Sequence, residues 1–120
     1  MKPVKVVLDP ERMRHFIESE QGSGDLFATL AQTYLETSRK LLVELDKITD
    51  PEEAVQLGHQ IRELSENIGA RKMETIAQTI TNLAQAGKMK DLQTLIAQAK
   101  KAFEETEISL GLLLEGRNAG

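Results

Sequence analysis

The chain has 120 residues, a formal net charge of −4, 40% hydrophobic but only 3% aromatic residues, and neither Cys nor Trp. That length suits one domain with a single modest core. The lack of Cys excludes disulfides, thiol nucleophiles and Cys-ligated metals, and an acidic, aromatic-poor chain lacks the basic patch and stacking rings of a nucleic-acid binder.

Residues 1–8 read as an extended lead-in, and MKPVKVVLDPE is not a signal peptide. Asp9-Pro10-Glu11 then provides a cap and a proline suited to the first helical position, which predicts a short helix through about Ser19. QGSGD, residues 21–25, breaks it. From Leu26 the spacing of Leu30, Tyr34, Leu41, Leu45 and Ile48 predicts a long amphipathic helix, its stripe widened by Phe27 and Leu42. Asp50-Pro51 repeats the cap-and-proline start, and the helix it opens should stop at Gly69. Met73, Ile76, Ala77, Ile80, Leu83 and Ala84 mark the next helix, which Gly87 ends. Leu92, Leu95, Ile96, Ala99 and Phe103 mark the last, which reaches about Leu114 before a frayed tail at 116–120.

Leu, Ile, Val, Met and Ala must build the core, and no stretch alternates with period two. The expected fold is all-α: a single domain over 1–120, an antiparallel up-and-down four-helix bundle with a short extra N-terminal helix. No apolar run is long enough to span a membrane. A soluble, cytoplasmic monomer that binds neither membrane nor nucleic acid is expected.

The stretch GHQIRELSENIGA, residues 58–70, carries the chemistry. At about 100° per residue, Leu57, Ile61, Leu64 and Ile68 fall roughly 140–200° from His59, so the apolar stripe lies opposite the histidine. Glu52, Gln56, Arg62, Glu63 and Glu66 share its side, with Val55 and Ala70 as small apolar neighbours. His59 should therefore project into water from mid-helix. A neutral imidazole there is a nucleophile near pH 7 and can accept a phosphoryl group. A carrier needs little machinery, because a partner can supply the metal and the charge stabilisation.

The string His59-x-Ile61-Arg62-x-x-Ser65-x-Asn67-Ile68-Gly69-Ala70 resembles the signature of histidine phosphotransfer (HPt) domains, roughly His-x-Leu-Lys-Gly-Ser-Ala-x-x-Leu-Gly-Ala. VVLDPERMRHFIE resembles that family's lead-in helix, and DLFATLAQTYLETSRKLLVEL its first bundle helix. The resemblance implies that His59 is the phosphoacceptor, in a relay between a receiver domain or hybrid sensor histidine kinase and a response regulator. Arg62 then stands where the family has Lys, near the phosphoryl oxygens or the partner's acidic pocket. Ile61 holds the helix to the core, and Gly69 allows the turn. No cofactor of the chain's own is implied; the partner's receiver would bring Mg2+.

Two positions depart from the signature. Glu63 stands where the family has Gly, and Glu66 where it usually has a small residue. Both share the face of His59. At about 5 Å and an effective dielectric of 20–80, each like-charge contact with a phosphoryl group costs on the order of 1–3 kcal/mol before screening. Two versions of the reading stay open. In one, Glu63 swings aside and the domain carries phosphate. In the other, the bundle has lost efficient phosphotransfer and serves as a docking or regulatory adaptor, with Val55, Gln56, Arg62, Glu63 and Glu66 as partner-contacting surface.

Other chemistry is weaker. His59 and Glu63 have i, i+4 spacing, but position 56 is Gln, so the Glu-x-x-His motif of dimetal bundles is missing and no metal site is expected. His15, beside Met13, Phe16 and Ile17, reads as a partly buried or solvent-edge residue. The glutamate pairs look like caps and solvated faces, so an enzyme with its own turnover is not expected.

Overall fold

A computed structural model describes residues 8–11 and 25–119. Four helices follow one another: α1 (Asp25–Asp46), α2 (Pro51–Ile68), α3 (Arg71–Gln85) and α4 (Met89–Ala119). Of the expected N-terminal helix only the start is described. Pro10 and Glu11 are helical, and the Glu11 N–H donates to Asp9 Oδ1 at 3.0 Å. The rest of that helix, with His15, lies outside the described residues. Among those residues there is no strand.

Local chemistry sets the boundaries. Asp50, in extended conformation at the α2 N-cap, accepts from the Glu52 N–H, and Pro51 occupies the first turn. Gly69 ends α2 with φ 78°, in the left-handed region. Its N–H reaches Glu66 O at 3.2 Å, and the Ala70 N–H reaches Ser65 O at 2.8 Å. Gly87 ends α3 in the same way, with φ 73° and with Lys88 N–H donating to Leu83 O. Both are Schellman caps, which a residue with a Cβ would strain.

Cross-helix pairs give the direction of each helix. Arg39 bonds Glu107 and Asp46 accepts from Lys100, so α1 and α4 run in opposite senses. Tyr34 meets Ser65, whereas Glu44 and Ile48 share a groove with Glu53 and Leu57, so α1 and α2 are also antiparallel. Lys72 pairs with Glu105 at 3.0 Å across α3 and α4. The bundle closes through α1 and α4, which pack directly on each other. Each exposed ion pair is worth about 0–1 kcal/mol, so burial holds the bundle and the pairs report its register.

The core contains Phe27, Tyr34, Leu41, Leu42 and Leu45 of α1, Leu57, Ile61 and Ile68 of α2, Met73, Ala77 and Ile80 of α3, and Leu92, Ile96, Ala99, Phe103 and Leu110 of α4. Leu30, expected in the buried stripe, is instead 39% exposed and lines a groove with Tyr34, Leu64 and Ile68. The last helix, expected to reach about Leu114, continues to Ala119. A Cβ at Gly111 would meet nothing, so that glycine costs only its propensity, about 1 kcal/mol. The Leu and Glu residues that follow it are strong helix formers.

One buried polar contact ties α1 to α2: the Tyr34 hydroxyl and Ser65 Oγ are 2.9 Å apart. Burial pushes the Tyr34 phenol up from its ordinary pKa, and the hydroxyls of Ser65 and Ser38 draw it back only in part. Ser38 Oγ is itself buried and makes no well-formed hydrogen bond. The phenol stays protonated at neutral pH. Tyr34→Phe would leave Ser65 Oγ buried without this partner. The variant is expected to lose about 1 kcal/mol of stability, read as a lower urea midpoint with an unchanged slope; an unchanged midpoint would mean that the pair contributes nothing net.

Candidate functional site

The outer ridge of α2 is set by what lies beneath it. Leu57, Ile61 and Ile68 are buried and Leu64 is half-buried, as their spacing requires. Gly58 is also buried, against α3. A Cβ there would lie 2.4 Å from Thr81 Oγ1, 3.3 Å from Ala77 O and 3.4 Å from Thr81 N. The Thr81 hydroxyl is buried and donates to Ala77 O at 3.0 Å, so it is not free to move aside. Gly58 thus lets the two helix backbones approach closely beside the histidine.

This contact explains a difference from the sequence reading. His59 is half-buried rather than fully in water. The residue before it is drawn onto α3, so the ring sits on the shoulder of α2 rather than on a free crest. It keeps solvent access from mid-helix, the position that a partner's surface can reach.

The other expected site residues divide around it. Arg62, one turn on, is half-buried, and its Nη1 lies 3.6 Å from Glu66 Oε2. Its Nε is buried and has no hydrogen-bond partner. Glu63 is exposed and, among the described residues, enters no ion pair. Val55 is half-buried and packs against the core. Gln56 is exposed and opens toward α1, lining the groove with Glu44, Lys47, Ile48 and Gln60. Arg62 and Glu66 are therefore brought together, whereas Val55 and Gln56 flank the histidine on different sides. Ile61 is buried beneath the ridge and Gly69 closes it.

Two supporting features had no reading in the sequence. Gly58 stood next to the histidine, but its role depends on Thr81, far along the chain. In the sequence Asp9 reads only as a helix cap, yet its N–H donates to Gly69 O at 2.8 Å and its Oδ2 meets Arg71 Nη1 at 3.0 Å. The lead-in is thereby fastened to the turn that ends the histidine helix.

Among the described residues no three His, Cys, Asp or Glu side chains gather as a metal-binding group. None of their helices is long and apolar enough to cross a membrane. The arrangement offers one reachable imidazole, one cation a turn away and two carboxylates on the same ridge.

Gly58→Ala should destabilise the bundle by about 1–3 kcal/mol, despite the roughly 1 kcal/mol that Ala gains in helix propensity. Thermal unfolding of the variant checks this, and a stabilised Gly58→Ala would refute the close packing against Thr81.

The family model described as Hpt domain matches residues 25–109. No curated protein and no solved structure matches the chain.

Proposed function

Because the chain belongs to the Hpt domain family, whose members are phosphorelay modules that act with receiver domains and histidine kinases, we propose that His59 is its phosphoacceptor. The observation that carries this reading is the placement of His59. It is the histidine among the described residues, it lies mid-helix at the motif position, and it retains solvent access above a buried apolar stripe.

In the proposed step a neutral ring nitrogen of His59 attacks the phosphorus of an aspartyl phosphate on a receiver domain. The N–P bond forms, the acyl O–P bond breaks, and the aspartate leaves as a carboxylate. The reverse step at a second receiver, that of a response regulator, regenerates the free imidazole. The chain supplies the nucleophile on a rigid helix and a nearby cation, Arg62. The receiver supplies Mg2+ and the groups that stabilise the transferring phosphoryl. The chain is then a phosphocarrier rather than an enzyme with its own turnover.

Glu63 supports a second reading. Its exposed carboxylate lies one helical turn from His59, where it meets any group that approaches the ring. If that charge blocks transfer, the bundle serves as a docking or regulatory adaptor for the same class of partner.

Acid-labile label taken from a phosphorylated receiver or its hybrid kinase distinguishes the two. Wild type is expected to take label and His59→Gln to lose it. Glu63→Gly is expected to raise the initial rate about tenfold at low ionic strength and less in high salt. An unchanged rate in Glu63→Gly would refute the charge argument. Label on Glu63→Gly alone would mean that Glu63 has switched the chemistry off. Receiver binding without label on any variant would favour the adaptor.

A further inference from the structure

Arg62 and Glu66 form the weak ion pair on the histidine ridge, and several features make it weak. Nη1 and Oε2 are 3.6 Å apart, beyond the 2.7–2.9 Å of a strong charge-assisted bond. Arg precedes Glu by four residues, the less favourable order on a helix. Glu66 lies in the last turn of α2, where the helix dipole disfavours a carboxylate. Arg62 Nε is buried with no acceptor. A guanidinium presents Nε and Nη2 as a planar fork matched to two oxygens; Glu66 approaches Nη1, on the other side of the group, and leaves that fork unused.

His59 lies three residues before Arg62 on the same face. When phosphorylated it would present three acceptor oxygens and about two negative charges. Resting on the phosphocarrier reading, we propose that Glu66 is the resting counterion of Arg62. It holds the guanidinium toward the C-terminal end of the ridge while the imidazole is bare. Phosphorylation of His59 draws Arg62 off Glu66, and its fork, Nε included, closes on the phosphoryl oxygens. Glu66 is then a positioning residue: it acts through Arg62 and sets how strongly the phosphorylated state is held. A chain with a small residue at this position would leave its cation free from the start.

The test uses the full chain phosphorylated by phosphoramidate. In that reaction the donor's P–N bond breaks, ammonia leaves and the N–P bond to His59 forms. Wild type, Glu66→Gln, Arg62→Ala and the double variant are compared by two NMR signals, the Arg62 Nε–H resonance and the 31P titration of the phosphoryl group. The other carboxylates near the ridge, Glu52 and Glu63 on α2 and Glu74 on the neighbouring α3, are common to all four proteins and cancel in the comparison.

Phosphorylation is expected to move the Nε–H resonance of wild type downfield. Glu66→Gln is expected to lower the phosphoryl pKa by about half a unit when Arg62 is present, and by clearly less in the Arg62→Ala background, where only its direct charge acts. An equal shift in both backgrounds would mean that Glu66 acts by direct repulsion, which overturns the proposal. So would an Nε–H resonance that phosphorylation leaves in place. If no variant forms phosphohistidine while free imidazole reacts alongside, the carrier reading itself fails, and this inference with it.

Discussion

The close approach of α2 and α3 at Gly58 governs the functional face. A helix–helix contact normally keeps side chains between the two backbones. Here the missing Cβ leaves room for Thr81 Oγ1, and Thr81 is held in place by its bond to Ala77 O. The spacing fixes the rotation of α2 about its axis. That rotation in turn decides that Ile61 is buried, that His59 sits on the shoulder, and that Arg62 lies low enough for its Nε to leave solvent. Among the described residues, helices rather than loops position the site. Its precision comes from the packing of the same helix against its neighbours.

The Tyr34–Ser65 bond works with this contact from the other flank. Gly58 sets how close α2 comes to α3, and the buried hydroxyl pair sets its register against α1. A buried polar pair adds little net stability over apolar packing, but it penalises any slip that would separate its members. α2 is thus fixed in distance on one side and in register on the other, which leaves the ridge rigid without a dedicated scaffold.

Much of this was legible in the sequence where the information is local. The period of Leu57, Ile61, Leu64 and Ile68 located the buried side of α2. The Asp50-Pro51 start and the Gly69 stop bounded the helix, because capping is decided within a few residues. The histidine motif then pointed to the family that the match over residues 25–109 establishes. What stayed hidden depends on distant partners. Nothing near Gly58 announces Thr81, and nothing near Asp9 announces Gly69 and Arg71. The Arg62–Glu66 pair has a visible i, i+4 spacing, but the resemblance assigns Arg62 to a partner rather than to its neighbour. α4 runs beyond its expected end near Leu114, because Gly111 faces open space and merely weakens the helix.

The fastening of Asp9 has a mechanical consequence. Tension applied at Asp9 has a direct route into the bundle. It enters the bundle through Gly69 O and Arg71, at the junction of α2 and α3. The Gly69 peptide also belongs to the Schellman cap, so the load falls on the hydrogen bonds that terminate the histidine helix. A pull on Asp9 is thereby coupled to the end of the ridge that bears His59.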